Sequence, residues 1–247
     1  MRLQEGLADM SKKPRNAMNE KCCYCGGDAT TRDHVPHGAL FPKPRPTDLI
    51  TVPACGSCNN GSSQDEEYFL HALLLWRARG PGLDSLRKQR FESEHLVEQR
   101  PPRRLTEMAE RMRRSMEQMP VYSPAGLYLG HVSTFTPEKG PFNRILGKMA
   151  RGLYFATFKE RLPVECTPQV FYMLPHQVPP GLFKDSSQPV IAGGSPVRGV
   201  GGQTFEYCIR HHESAGGMMC AMKFFGTLRM VIGFLSEPST PVEGSQT

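Results

Sequence analysis

Apolar residues at Phe142, Ile145, Leu146, Met149, Leu153 and Tyr154 recur at the i, i+3, i+4, i+7 spacing of a helix with one buried face. That pattern predicts a helix over residues 142–159, ended by Pro163. Phe69, Leu70, Leu73, Leu74 and Trp76 repeat it over residues 64–79, where Gly80-Pro81-Gly82 stops the run. Short β-branched or alternating stretches predict strands over residues 29–35, 49–52, 127–129, 131–135, 170–174, 204–210, 218–225 and 228–234. Pro53 closes the second of these strands. Residues 83–118 favour helix but are broken at Pro101-Pro102. His211, His212 and Glu213 imitate a ligand cluster without a spaced partner, and read as a loop.

The polar ends, residues 1–20 and 236–247, lack periodicity and apolar anchors and read as disordered. Between them the order strand, strand, knuckle, helix over residues 21–80 predicts one small unit. Residues 83–235 predict a second, mixed helix and strand unit. The fold class expected is α+β.

Cysteine spacing changes this picture most. Cys22 and Cys25 form one Cys-x-x-Cys knuckle, and Cys55 and Cys58 form another. Each spacing turns two thiolates toward one point, so the two pairs together suit a tetrahedral Zn²⁺. Such a zinc is structural, because four thiolates leave no open position. The 29 residues from Gly26 to Ala54 between the knuckles are enough for a hairpin. Cys23 does not give the x-x spacing to Cys25. Cys166, Cys208 and Cys220 read as packing residues.

The net charge of +6 permits a polyanionic partner without requiring one. Most of it lies between Arg77 and Arg114, with eleven Lys or Arg against six Asp or Glu. That segment can contact phosphates or form a solvated helix face. No run is long enough to span a bilayer, and the polar amino terminus lacks a signal-peptide stretch. The expectation is a cytoplasmic protein with reduced thiols and no membrane partner.

Inside the loop lies an Asp33-His34 pair, and Asn59 follows the last cysteine. Phosphodiester hydrolysis needs an activated water, charge stabilisation on the phosphate and help for the leaving 3′ oxygen. A neutral imidazole such as His34 can take the water's proton near pH 7. A divalent metal on oxygen ligands can act as Lewis acid, and Asp33 suits it because neighbours on a strand face opposite sides. Asn59 offers a neutral carbonyl ligand. Asp65, Glu66 and Glu67 read as acids at the positive end of a helix rather than further ligands.

Residues 22–69 resemble the zinc-stapled branch of the HNH, or ββα-metal, endonucleases. The resemblance rests on Cys22-x-x-Cys25-Gly26, on Thr31-Arg32-Asp33-His34-Val35-Pro36 and on Leu40-Phe41-Pro42. It continues through residues 49–55, Cys58-Asn59-Asn60-Gly61 and residues 65–69. It implies an amino-terminal ββα-metal domain that cleaves DNA to 5′-phosphate ends. His34 would be the general base, Asp33 and Asn59 would bind catalytic Mg²⁺ or Mn²⁺, and the four knuckle cysteines would bind Zn²⁺. The remainder more loosely resembles bacterial proteins that carry this domain at their amino end. Two departures stand out. Gly61-Ser62-Ser63 occupies the place where family members often carry Lys or His, leaving a third metal or phosphate contact unassigned. His37 stands where a small residue or Pro is expected, and reads as a solvent-facing loop residue.

The expected partner is DNA, with RNA left open. One site of this kind cuts one strand at a time, so double-strand cleavage needs a homodimer or two sequential events. Arg32 or an Arg of the basic segment would brace the backbone. Two rival readings use the same residues: a zinc-ribbon module that binds nucleic acid without cutting it, and a zinc-stapled protein-interaction domain.

Overall fold

The computed structural model describes residues 20–75, 84–86, 103–173, 196–212, 217–226 and 228–235. Both polar ends apart from Glu20, the expected boundary at residues 80–83 and most of the basic stretch from 77 to 102 lie outside the described residues.

The chain opens on the first knuckle. Gly26 takes φ +80° and donates its N–H to the Cys22 carbonyl at 2.9 Å, and Cys22 N–H reaches the Gly27 carbonyl at 2.7 Å. A residue with a Cβ would be strained in this left-handed turn. Strand β1, Thr31–His34, then pairs antiparallel with β2, Thr51–Ala54, in the register Thr31 to Ala54 and Asp33 to Val52. Strand β2 does not close at Pro53 as expected but runs through it. A two-stranded ribbon is all edge, so the missing N–H is tolerated. The Pro53 carbonyl accepts from Cys23 N–H at 3.0 Å, tying the first knuckle to the ribbon.

The second knuckle caps helix α1, Gly56–Asn60, which the sequence did not reveal, and α2, Ser63–Leu75, follows. Helix α3, Arg103–Arg114, ends earlier than the helix-prone composition suggests. Ser115 closes it by donating to the Met112 carbonyl, and β3, Met116–Tyr122, turns back against β4, Tyr128–Phe135. The two strands expected at 127–129 and 131–135 are this single β4. Pairing with β3 along its whole length, with one irregularity between Val121 and Tyr122, overrides the local break.

Helix α4, Lys139–Phe158, is the spine. It stops at left-handed Lys159, whose N–H returns to the Phe155 carbonyl at 2.8 Å, before Pro163 is reached. On one side α4 packs α2, with the Phe69 and Phe142 rings 4.6 Å apart. Its other neighbours are β2, β5 and β9. Strands β5 (Thr167–Met173), β6 (Arg198–Val200), β7 (Phe205–His212), β8 (Gly217–Phe224) and β9 (Leu228–Leu235) form an antiparallel sheet in the order β5-β9-β8-β7-β6. Alternate residues of β8 (Met218, Cys220, Met222, Phe224) and of β9 (Leu228, Met230, Ile232, Phe234) join the core that α4 shares. Ala221 and Val231 face the other way, with Cys208. His211 lies in β7 rather than a loop, its ring edge-on to Tyr154 at 5.7 Å. The structure is thus mixed α+β. None of the described helices is long and apolar enough to cross a membrane.

Candidate functional site

The ribbon, α1 and both knuckles converge on four sulfurs. The Sγ atoms of Cys22, Cys25, Cys55 and Cys58 all lie within 4.8 Å of one another, with Cys25 and Cys55 3.7 Å apart. Zinc–sulfur bonds of about 2.3 Å in a tetrahedron require sulfurs about 3.8 Å apart, so small contractions close the set around one ion. Cys55 is prepared for that role. The Ser57 hydroxyl lies 3.1 Å from its sulfur and the Cys58 N–H donates to it at 3.4 Å. These bonds, Ser57 first, pull its thiol below the ordinary cysteine value and favour the thiolate. The four cysteines are positioned to bind a metal ion, compatible with structural zinc. Cys23 stays out of the set: it is buried, and desolvation, then the charges of Cys22 and Asp33, push its thiol up to about 12. Cys166, Cys208 and Cys220 are buried in the packing.

The second knuckle also delivers Asn59 to the ribbon. Its Nδ2 donates to Thr31 Oγ1 at 3.0 Å and to the Arg32 carbonyl at 3.3 Å, while Thr31 Oγ1 itself donates to the Ala54 carbonyl. Asn59 is therefore docked on β1 immediately before the Asp33-His34 pair. Alternation along β1 separates that pair: Asp33 is buried and His34 is exposed. Arg32, on the exposed side, pairs with Glu20 at 2.9 Å.

Behind β1, Asp33 is 4% exposed. Its Oδ2 accepts from the Tyr24 hydroxyl at 2.9 Å and lies 2.9 Å from Lys148 Nζ, reaching across from α4. The same ammonium donates to Glu66 Oε1 at 2.8 Å and Ser62 Oγ at 2.7 Å. Burial works against the Lys148 charge, but its bonds to Glu66 and Asp33 outweigh burial and lift its pKa above the ordinary lysine value. His37 borders this cluster: Nδ1 accepts from Ala39 N–H at 3.3 Å, and Nε2 sits 3.5 Å from Glu66 Oε2. Desolvation holds its pKa below the ordinary histidine value despite the nearby carboxylates.

Sequence reasoning thus located the cysteines, Asp33, His34 and Asn59 but not Lys148, Tyr24 or Ser62. Glu66 and Asp65 are more than helix-end acids. Glu66 takes Lys148, and Asp65 takes Arg144 through contacts of 2.7 and 3.0 Å. A lysine flanking the apolar stripe of residues 142–154 was the available signal for Lys148, yet nothing in the pattern says which carboxylate it meets.

The fold and site define an α+β protein with four cysteines positioned to bind a metal ion. No known protein family, curated protein or solved structure matches the chain.

Proposed function

We propose that the protein is a metal-dependent endonuclease of the HNH kind, hydrolysing DNA phosphodiester bonds at the β1–α1 junction. The observation that carries this reading is the docking of Asn59 onto β1, beside Asp33-His34, by the same four-cysteine knot. His34, exposed at the end of β1, takes the proton of the attacking water. Asp33 and Asn59 are oxygen donors of the type a hard cation such as Mg²⁺ or Mn²⁺ accepts, and an ammonium already stands against Asp33 as a stand-in cation. When bound, the metal supplies Lewis-acid stabilisation of the phosphate and the leaving oxygen. The zinc knot would fasten α1 to β1, the strand that carries Asp33 and His34, through the Asn59 contacts to Thr31 and Arg32.

A second reading has its own support. Because Asp33 is neutralised by Lys148, the knot also suits a zinc-ribbon module that holds nucleic acid without cutting it.

Nicking of supercoiled plasmid by zinc-loaded protein with Mg²⁺ or Mn²⁺ separates the two. The wild type should nick, EDTA should stop it, and His34→Ala should lose at least a hundredfold in rate while keeping its zinc. Equal salt-sensitive binding by both proteins with no cleavage in any divalent metal supports the binding module instead.

A further inference from the structure

We propose that Lys148 is the resident counter-ion of Asp33, and that a divalent cation reaches this carboxylate only by displacing the Lys148 ammonium. This deepens the nuclease reading and rests on it for the metal's purpose, though not for its binding.

An ammonium has three protons and no acceptor, and Lys148 has three oxygen partners within 2.9 Å: Asp33 Oδ2, Glu66 Oε1 and Ser62 Oγ. Its Nζ also stands 5.4 Å from the centre of the Tyr24 ring, the residue that donates to the same Asp33 oxygen. The position is therefore built for a cation by β1, α2 and the first knuckle together. Ser62 is one of the three residues that stand where a Lys or His was expected after Asn59. Its hydroxyl holds a lysine from a helix far along the chain instead.

The charges say why this ammonium is exchangeable. Asp33 and Glu66 carry two negative charges against one positive, in a cluster whose side chains are at most 15% exposed. His37 borders the cluster at its more exposed side, with Nε2 3.5 Å from Glu66 Oε2. A dication in place of the ammonium neutralises both carboxylates, whereas the ammonium leaves one uncompensated. Lysine is also suited to leave: its charge sits at the end of a flexible four-carbon stem, so release requires no movement of α4.

The test is Mn²⁺ binding by the zinc-loaded full chain, followed by electron paramagnetic resonance of the free ion. Lys148→Met should bind Mn²⁺ at least tenfold more tightly than wild type, and adding Asp33→Asn should abolish the gain. Equal affinities for wild type and Lys148→Met overturn the proposal, and so does a gain that survives Asp33→Asn. Should Lys148→Met not fold, Lys148→Met/Glu66→Gln restores the cluster's net charge and is compared with Glu66→Gln alone. Tighter Mn²⁺ binding by the double variant supports the proposal, and equal binding overturns it. A gain in Mn²⁺ affinity beside a wild type that never nicks DNA keeps the counter-ion and removes the nuclease. Nicking with unchanged Mn²⁺ affinity does the reverse.

Discussion

Gly152 sits one helical turn beyond Lys148 on α4, against Val35 at the exit of β1. A Cβ there would lie 2.7 Å from Val35 Cγ2 and 3.2 Å from the Tyr24 hydroxyl, the group that donates to Asp33. Both neighbours are buried side chains with little room to yield. Gly152→Ala should therefore cost about 2 kcal/mol despite alanine's better helix propensity, because overpacking outweighs the smaller gain. Urea unfolding checks this; an unchanged or raised midpoint contradicts the close approach. At this scale the chemistry-bearing residues fall into two kinds. Cys22, Cys25, Cys55 and Cys58 were legible because each x-x spacing turns two thiolates toward one point, and Asp33, His34 and Asn59 stand out as candidates within and beside that set. Lys148 was not, because its partners come from elements brought together only by tertiary packing; Glu66 stands in the first turn of α2 as expected, and its pairing with Lys148 was hidden for the same reason.

Among the elements, α3 and α4 are joined by one exposed contact that carries a pH signature. Arg111 forms two hydrogen bonds to Glu138, which stands just before α4 with no side-chain cap bond to it, and its guanidinium lies 4.7 Å from the Tyr68 ring centre. The hydrogen bond from Arg111 holds the Glu138 carboxyl below the ordinary value of 4.5, against a smaller opposing effect of burial. A carboxyl depressed in the folded state stabilises the fold above its unfolded pKa, and that contribution fades as pH falls through the folded one. Glu138→Gln should therefore lower Tm at pH 7, and the gap from wild type should close below about pH 4. A gap that persists at pH 3 would place the effect in helix capping rather than in charge. The elements show how far periodicity carries. Helices α2 and α4 and most strands of the large sheet follow directly from their apolar spacing. Strand β3 does not: Met116–Tyr122 has no inward face to alternate with, since six of its seven residues are exposed, and only its ladder with β4 makes it a strand.

Across the whole molecule, one apolar core runs from Cys22 and Tyr24 through α2 and α4 to Ile232 and Phe234. The knot is thus braced by the same helix that supplies Lys148, with the large sheet packed behind that helix. The β3–β4 hairpin touches this core through Phe135 at the end of β4 and is otherwise largely exposed. It carries Met116, Met119, Tyr122, Leu127, Tyr128 and Leu129, six of the eight exposed large hydrophobics among the described residues. Beside the β1–α1 junction, where Asn59 lies against Arg32 and Asp33 turns toward Lys148, the four thiols are positioned to bind one metal ion. The direct test is metal analysis of the purified chain beside a variant with Cys22, Cys25, Cys55 and Cys58 all replaced by Ser. One zinc per wild-type chain, and none in the variant, is the predicted result. A wild-type chain that folds without zinc, or a variant that keeps it, would contradict the four-cysteine centre.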